Sequence, residues 1–224
     1  MSDTPIDVFI DLPSFPGPVQ AGRLWSHFRK GRESASFEYN KEWLANPHRF
    51  ALEPLLPLAD GTFHTNPGQS VFGAIGDSTP DRWGRILMRR AELARARTAN
   101  ESPHTLSELD YLLRVNDEAR QGALRFSQDG GQSFCAPPGS TPIPPLVNLS
   151  RLLHAADHFC RDDENAEDLR LLLAPGSSLG GARPKASVKD KKGNLCIAKF
   201  PRHDDEYNVV AWEAVALTLA SKAG

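Results

Sequence analysis

The chain has 224 residues, 40% hydrophobic and 24% charged, an ordinary globular balance that excludes a fully disordered polymer. Lys and Arg number 26 against 28 Asp and Glu, and the net charge of −2 excludes a globally basic nucleic-acid binder while leaving room for a local basic patch. No run approaches the ~18 apolar residues of a membrane span, and the acidic start Met1-Ser2-Asp3-Thr4 lacks the positive region of a secretory signal. Cys135, Cys160 and Cys196 are far apart, without a Cys-x-x-Cys pair, so they read as small buried hydrophobes in a cytoplasmic protein with no metal site.

The opening segment reads as strands. Val8 to Leu12, Ala21 to Phe28 and Ala35 to Tyr39 carry β-branched and aromatic residues, the last with period two. Asn40 to Asn46 reads as a short helical turn. A helix is signalled over Arg82 to Leu93, with Ser78 or Thr79 as its cap, Pro80 at its first position and Asp81 in its first turn. Leucines at helical spacing predict a second helix over Leu106 to Val115, and Gly122 to Phe126 reads as a strand. Two helices follow, Asn148 to Cys160 and Glu164 to Leu173. Ala186 to Lys189 and Leu195 to Phe200 form a hairpin about Asp190 to Asn194. A final helix runs from Glu206 to Ala223, capped by Asp204 or Asp205.

Two stretches mark boundaries. Cys135 to Pro145 holds five prolines in eleven residues, incompatible with helix or central strand. Ala174 to Gly181 is a Gly/Ser loop. The expected organisation is an N-terminal module over 1–135, a Pro-rich linker and helical connector over 136–174, and a new unit over 175–224, giving an α+β fold.

The chemistry-bearing stretch begins at Gly176. Gly180, Gly181 and Ala182 leave the backbone bare enough for a phosphate to approach the amides, with Lys185 just beyond; an ordinary flexible turn has the same composition. Gly176 and Gly181 have Gly-x-x-x-x-Gly spacing, but Ala182 stands where a Walker A loop needs lysine. Leu195, Ile197 and Lys199 share a strand face. Glu213 lies inside a helical stripe of Val209, Val210, Ala216, Leu217 and Ala220. A lysine and a glutamate on inner faces answer each other's charge, as in the Lys–Glu pair of protein kinases; the alternatives are a lysine that snorkels out and a glutamate at the stripe's edge in water.

The run Gly176 to Ala186, with Ile197-Ala198-Lys199-Phe200-Pro201, Glu213 and Leu219 to Gly224, resembles the glycine-rich loop and following strand of HipA-type serine/threonine kinases, the toxins of bacterial toxin–antitoxin pairs. Phe72 to Arg85 and Gly122 to Phe126 resemble the same family's N-terminal part, in the family's order. The resemblance implies ATP-dependent phosphorylation of a protein substrate, with targets among aminoacyl-tRNA synthetases or other translation proteins. It implies that Gly180, Gly181, Ala182 and Lys185 border the ATP phosphates. Lys199 would hold the α/β-phosphates, paired with Glu213, and the C-terminal segment would form part of a kinase-like N-lobe. It also implies that Ser178, or its neighbour Ser177, is autophosphorylated to silence the enzyme, the added charge of about −1.5 to −2 falling where ATP phosphates sit. The implied partner is a DNA-binding, HipB-like antitoxin, which gives an indirect association with DNA.

The catalytic aspartate and the Mg²⁺ ligands of that family lie in a larger helical lobe beyond the glycine-rich loop. In this chain His203-Asp204-Asp205 mimics a His-x-Asp triplet, but Val210 stands where asparagine is required, and there is no Asp-Phe-Gly. The triplet reads as loop and cap. The expectation is a truncated kinase with no phosphotransferase activity of its own. Two alternatives stand beside it: an inactive fragment acting as an antitoxin-binding module, and a non-functional remnant with a bare apolar face. Arg82, Arg85, Arg89, Arg90, Arg95 and Arg97 make a basic helix, read either as contact with an acidic partner or DNA, or as a solvated face.

Overall fold

The computed structural model describes residues 5–135, 143–176 and 181–224. It is α+β, and the chain forms two compact units. One takes Met1–Pro80 and Thr105–Ser140, the other Asp81–His104 and Thr141–Gly224. The helix after residue 80 therefore packs with the C-terminal segment, not with the N-terminal module in which the sequence order places it.

The first unit is built on an antiparallel sheet of β1 (Ile6–Ile10), β2 (Val19–Arg29), β3 (Arg32–Tyr39), β4 (Thr62–His64) and β5 (Leu124–Ser127), in the order β4-β3-β2-β1-β5. The β2–β3 turn places Lys30 and Gly31 at φ 51° and 74°, the double left-handed conformation that matches strand twist in a two-residue hairpin. Register puts Leu24 opposite Phe37 and Ile6 opposite Leu24, so their side chains share one face. That face is the core: Ile6, Val8, Ile10, Leu24, Phe37 and Phe126 pack with Trp43, Phe72 and Leu112. Trp43 comes from α1 (Lys41–Ala45), capped by the Asn40 side chain, and Phe72 precedes the single turn of α2 (Gly73–Gly76). Leu112 comes from α4 (Glu108–Leu113), which begins with a full capping box between Ser107 and Asp110.

Arg120 locks this unit from inside. Its side chain is fully buried, and its guanidinium donates to the carbonyls of Ser78, Leu112 and Val115 at 3.0–3.2 Å and to Asp117 at 3.2 Å. Burial lowers the Arg120 pKa and raises that of Asp117, each against the pull of the other.

The second unit holds α3 (Arg82–Ala99), α5 (Leu149–Cys160), α6 (Ala166–Gly176), the hairpin of β6 (Lys185–Lys189) and β7 (Leu195–Lys199), and α7 (Val209–Ala223). Its core joins Trp83 and Leu87 of α3 to Leu152, Ala156 and Phe159 of α5, Leu172 of α6 and Ala186 and Val188 of β6. The cap of α3 is Asp81, not Ser78 or Thr79, and the helix runs six residues past the expected end to a left-handed Asn100. α6 also continues past Leu173, through Pro175, to Gly176. α7 starts at Val209 under Asn208, whose side chain accepts from the Ala211 N–H at 2.9 Å. Asp204 and Asp205 instead accept from Arg202, and Asp205 also pairs with Arg183.

The apolar stripe expected on α7 is not buried: Val209 and Val210 are only partly covered, Ala216 and Ala220 are exposed, and Leu217, like Trp212 and Leu219 outside the stripe, is more than 60% exposed. Cys135 and Cys160 are half-buried and Cys196 is exposed, so the three are not the buried hydrophobes the sequence suggested. Among the described residues no helix is long and apolar enough to cross a membrane.

Candidate functional site

The site forms where the hairpin opens toward α3 and α7, within the second unit. Antiparallel register makes Lys185 and Lys199 direct cross-strand partners, so their side chains project to the same side. Two like charges so placed repel by a few tenths to about 1 kcal/mol unless something between them is negative. Lys199 has its counter-charge: Nζ bonds the Glu213 carboxylate of α7. Lys185 is buried, and burial, then the neighbouring Lys199, lower its pKa, while Asp81 and Glu213 act the other way.

Gly181 sits beside this pair. Its φ of +86° is one that side-chain-bearing residues rarely adopt, and a Cβ there would lie 2.8 Å from the Lys185 Nζ. The first turn of α3 fixes it in place. The Gly181 N–H donates to Asp81 Oδ2, and its carbonyl accepts from the Trp83 N–H at 3.1 Å. The buried Trp83 indole N–H donates to the Lys185 carbonyl at 2.9 Å. Gly176 is held against the same helix, since a Cβ there would approach Leu87 to 2.7 Å and Trp83 Nε1 to 3.1 Å. One helical turn thus positions both the end of α6 and the start of β6. The Gly181 N–H, and then that of Arg82, lower the Asp81 pKa from its usual carboxylate value.

Of the residues singled out in the sequence, the structure brings Gly181, Lys185, Lys199 and Glu213 together. Ala182 is exposed next to Gly181. Gly180, Ser177 and Ser178 lie outside the described residues. Asp81 and Trp83 stand in the sequence as a helix start and within the Phe72 to Arg85 resemblance, yet they also hold the loop, a role hidden by their separation of about a hundred residues from it. Leu195 and Ile197, on the face of Lys199, are about half exposed rather than covered.

Two of the six arginines of the basic helix are engaged by their own surroundings. Arg90 bonds Glu164, Asp162 and the Phe159 carbonyl, with its guanidinium 4.1 Å from the Phe159 ring centre. Arg95 bonds Glu92 and Glu101. His203 lies in a wide depression with His154, Asp157 and Arg202, and among the described residues no group of three His, Cys, Asp or Glu fits a metal ion.

The donor set suits an anion. Two lysines and the Gly181 amide lie close together, and their negative partners, Asp81 and Glu213, are carboxylates of this chain. A nucleotide's phosphates fit that set; Lys199 and Lys185 would hold them, and the phosphates would supply the group to be transferred.

Comparison with known proteins adds the family. A family profile described as the HipA N-terminal domain (Couple_hipA) matches residues 17–127. A search of curated proteins found no match. The matched span takes in the whole of α3, including Asp81 and Trp83. Residues 17–127 of the chain are thus a HipA N-terminal domain.

Proposed function

We propose that this chain is the N-terminal part of a HipA-like, ATP-dependent serine/threonine protein kinase toxin and carries its nucleotide-clamping half. The observation that carries the reading is the cross-strand pair Lys185–Lys199, with Lys199 bonded to Glu213 and the Gly181 amide alongside. Like charges placed opposite one another cost stability, and a phosphate between them removes that cost. Lys199 holds the α/β-phosphates and Glu213 fixes its ammonium; Gly180, Gly181, Ala182 and Lys185 border the phosphates. The Mg²⁺ ligands and the aspartate that orients the attacking hydroxyl are not among the residues this reading uses. Ser178 is the residue whose autophosphorylation regulates the enzyme, by placing charge where the ATP phosphates sit. A protein substrate, a DNA-binding HipB-like antitoxin and a cytoplasmic location go with this reading.

The test is calorimetry of Mg-ATP against the chain and against Lys199→Ala. Binding that the substitution abolishes supports the nucleotide site. Binding that survives it unchanged removes Lys199 from the site and ends the reading.

A second reading is an antitoxin-binding module without catalysis. It is favoured by the apolar surface of Leu195, Ile197, Trp212 and Leu219, each half exposed or more, which water disfavours and a protein partner would cover. Co-purification with a DNA-binding protein encoded beside it, lost on Trp212→Asp, would support that reading.

A further inference from the structure

We infer that Asp81 is an internal competitor for the anion site of the glycine-rich loop: its carboxylate occupies the Gly181 amide and faces Lys185, so an incoming phosphate binds against it. The inference rests on the anion-binding reading above and concerns a residue that reading does not use.

Asp81 has two jobs, one on each oxygen. Oδ1 accepts from the Arg82 N–H at 2.7 Å and caps α3; Oδ2 reaches across to the Gly181 N–H. Capping needs only a short acceptor, which serine provides as well. The second bond needs the length and charge of a carboxylate, and it uses the amide that a bare glycine backbone would offer to a phosphate. Asp81 also supplies negative charge to Lys185. An anion entering beside Lys185 therefore meets a carboxylate that already takes the Gly181 N–H and offsets the Lys185 charge. It must displace that carboxylate or bind beside it, and like-charge repulsion opposes both. The arrangement offsets part of the Lys185 charge when no nucleotide is present, and it lowers anion affinity in return.

Two substitutions separate the jobs. Asp81→Ser keeps the cap but is too short and neutral to reach Gly181; Asp81→Asn keeps the reach and loses the charge. Inorganic tripolyphosphate is titrated calorimetrically into the full chain and both variants, while amide exchange of Gly181 is followed by NMR without ligand. The expected result is faster Gly181 exchange in Asp81→Ser and about tenfold tighter tripolyphosphate binding by it, with a smaller gain in Asp81→Asn. Tenfold is ~1.4 kcal/mol, near the lower end for a hydrogen bond to a charged group. Weaker or unchanged binding in Asp81→Ser overturns the inference, because Asp81 would then build the site or be indifferent to it. Unchanged Gly181 exchange overturns it as well. Absence of tripolyphosphate binding in all three proteins sinks the inference together with the anion-site reading, whereas the first two outcomes leave that reading standing.

Discussion

Replacing the Trp83 indole by a ring without its N–H isolates the bond that joins α3 to β6. Trp83 is 3% exposed, and its N–H donates to the Lys185 carbonyl at 2.9 Å inside the second unit's core. The isostere β-(3-benzothienyl)alanine keeps the ring's volume and its edge-to-face contact with Phe159, whose centroid lies 5.0 Å away. It removes only the donor and leaves the carbonyl without that partner, at a cost of about 1–3 kcal/mol. Trp83→Phe removes the donor and about 30–40 Å³ besides, and a void costs ~24 cal/mol per Å³, so it adds roughly 0.7–1 kcal/mol. The expected losses are therefore ~1–3 kcal/mol for the isostere and ~2–4 kcal/mol for phenylalanine. Because the chain has two compact units, a single global transition is not assumed. Hydrogen exchange of the α3 and β6 amides in mild denaturant reads the loss in the right unit. A loss below about 0.5 kcal/mol in the isostere would refute the reasoning, since the indole would then serve by volume alone.

Other perturbations probe the rest of the molecule. Arg120→Met strips three carbonyls and Asp117 of their donor and should cost the first unit about 3–5 kcal/mol, read from the urea midpoint of the sheet amides; a loss under ~1 kcal/mol would mean water replaces the guanidinium. Gly22→Ala drives a Cβ to 2.2 Å from the Glu38 carbonyl oxygen and 2.5 Å from the Phe37 ring. Backbone cannot yield there, so the variant should lose ~3 kcal/mol or more, visible as a collapsed melting temperature. Burial works to raise the Asp168 pKa, but the hydrogen bonds from His158 and the Asn165 N–H win and hold it low. A folded-state pKa below the unfolded value means the contribution is complete above the ordinary carboxylate range near pH 4 and fades as pH falls further. Asp168→Asn should flatten the acid limb of the stability curve, and an unaltered limb would count against the assignment.

Elements whose signals are local could be read before the structure was known. Alternation gave β3, the Asp190–Asn194 turn gave the β6–β7 hairpin, and leucine spacing gave α4. Boundaries failed where several caps competed. Ser78, Thr79 and Asp81 all qualify as helix starters, and only the reach of Asp81 to Arg82 and Gly181 decides among them. β4 and α2 are three and four residues long, too short to establish any periodicity. α6 runs through Pro175 to Gly176, where packing of Gly176 on Leu87 and Trp83 outweighs the local breaker signal. At the site, the Lys199–Glu213 pairing followed from two faces meeting in consecutive elements. The Asp81 and Trp83 contacts did not, because local patterning carries no information about partners a hundred residues away. The burial expected around α7 failed for the opposite reason: an apolar stripe declares a need for cover without saying what supplies it.

The exposure of the Lys199–Glu213 pair turns out to be useful. The two side chains are 44% and 36% exposed, and ion pairs so placed contribute only about 0–1 kcal/mol to folding. Lys199→Ala should therefore unfold within ~1 kcal/mol of the unsubstituted chain. A lysine that meets a phosphate makes a charge-assisted hydrogen bond worth about 1.5–3 kcal/mol, which is a roughly 10- to 150-fold change in affinity. The same substitution thus gives two well-separated results, a near-silent melt and a large loss of Mg-ATP binding, if Lys199 exists for a ligand. If it exists for the fold, the order reverses: the melting temperature drops by several degrees and nucleotide binding is unaffected once the protein is folded. Glu213→Gln completes the comparison. It leaves the fold equally undisturbed but frees the ammonium to move, so its effect on nucleotide affinity should be smaller than that of Lys199→Ala and absent when combined with it. Additive losses in the double variant would show that Glu213 acts on the nucleotide by a route other than Lys199.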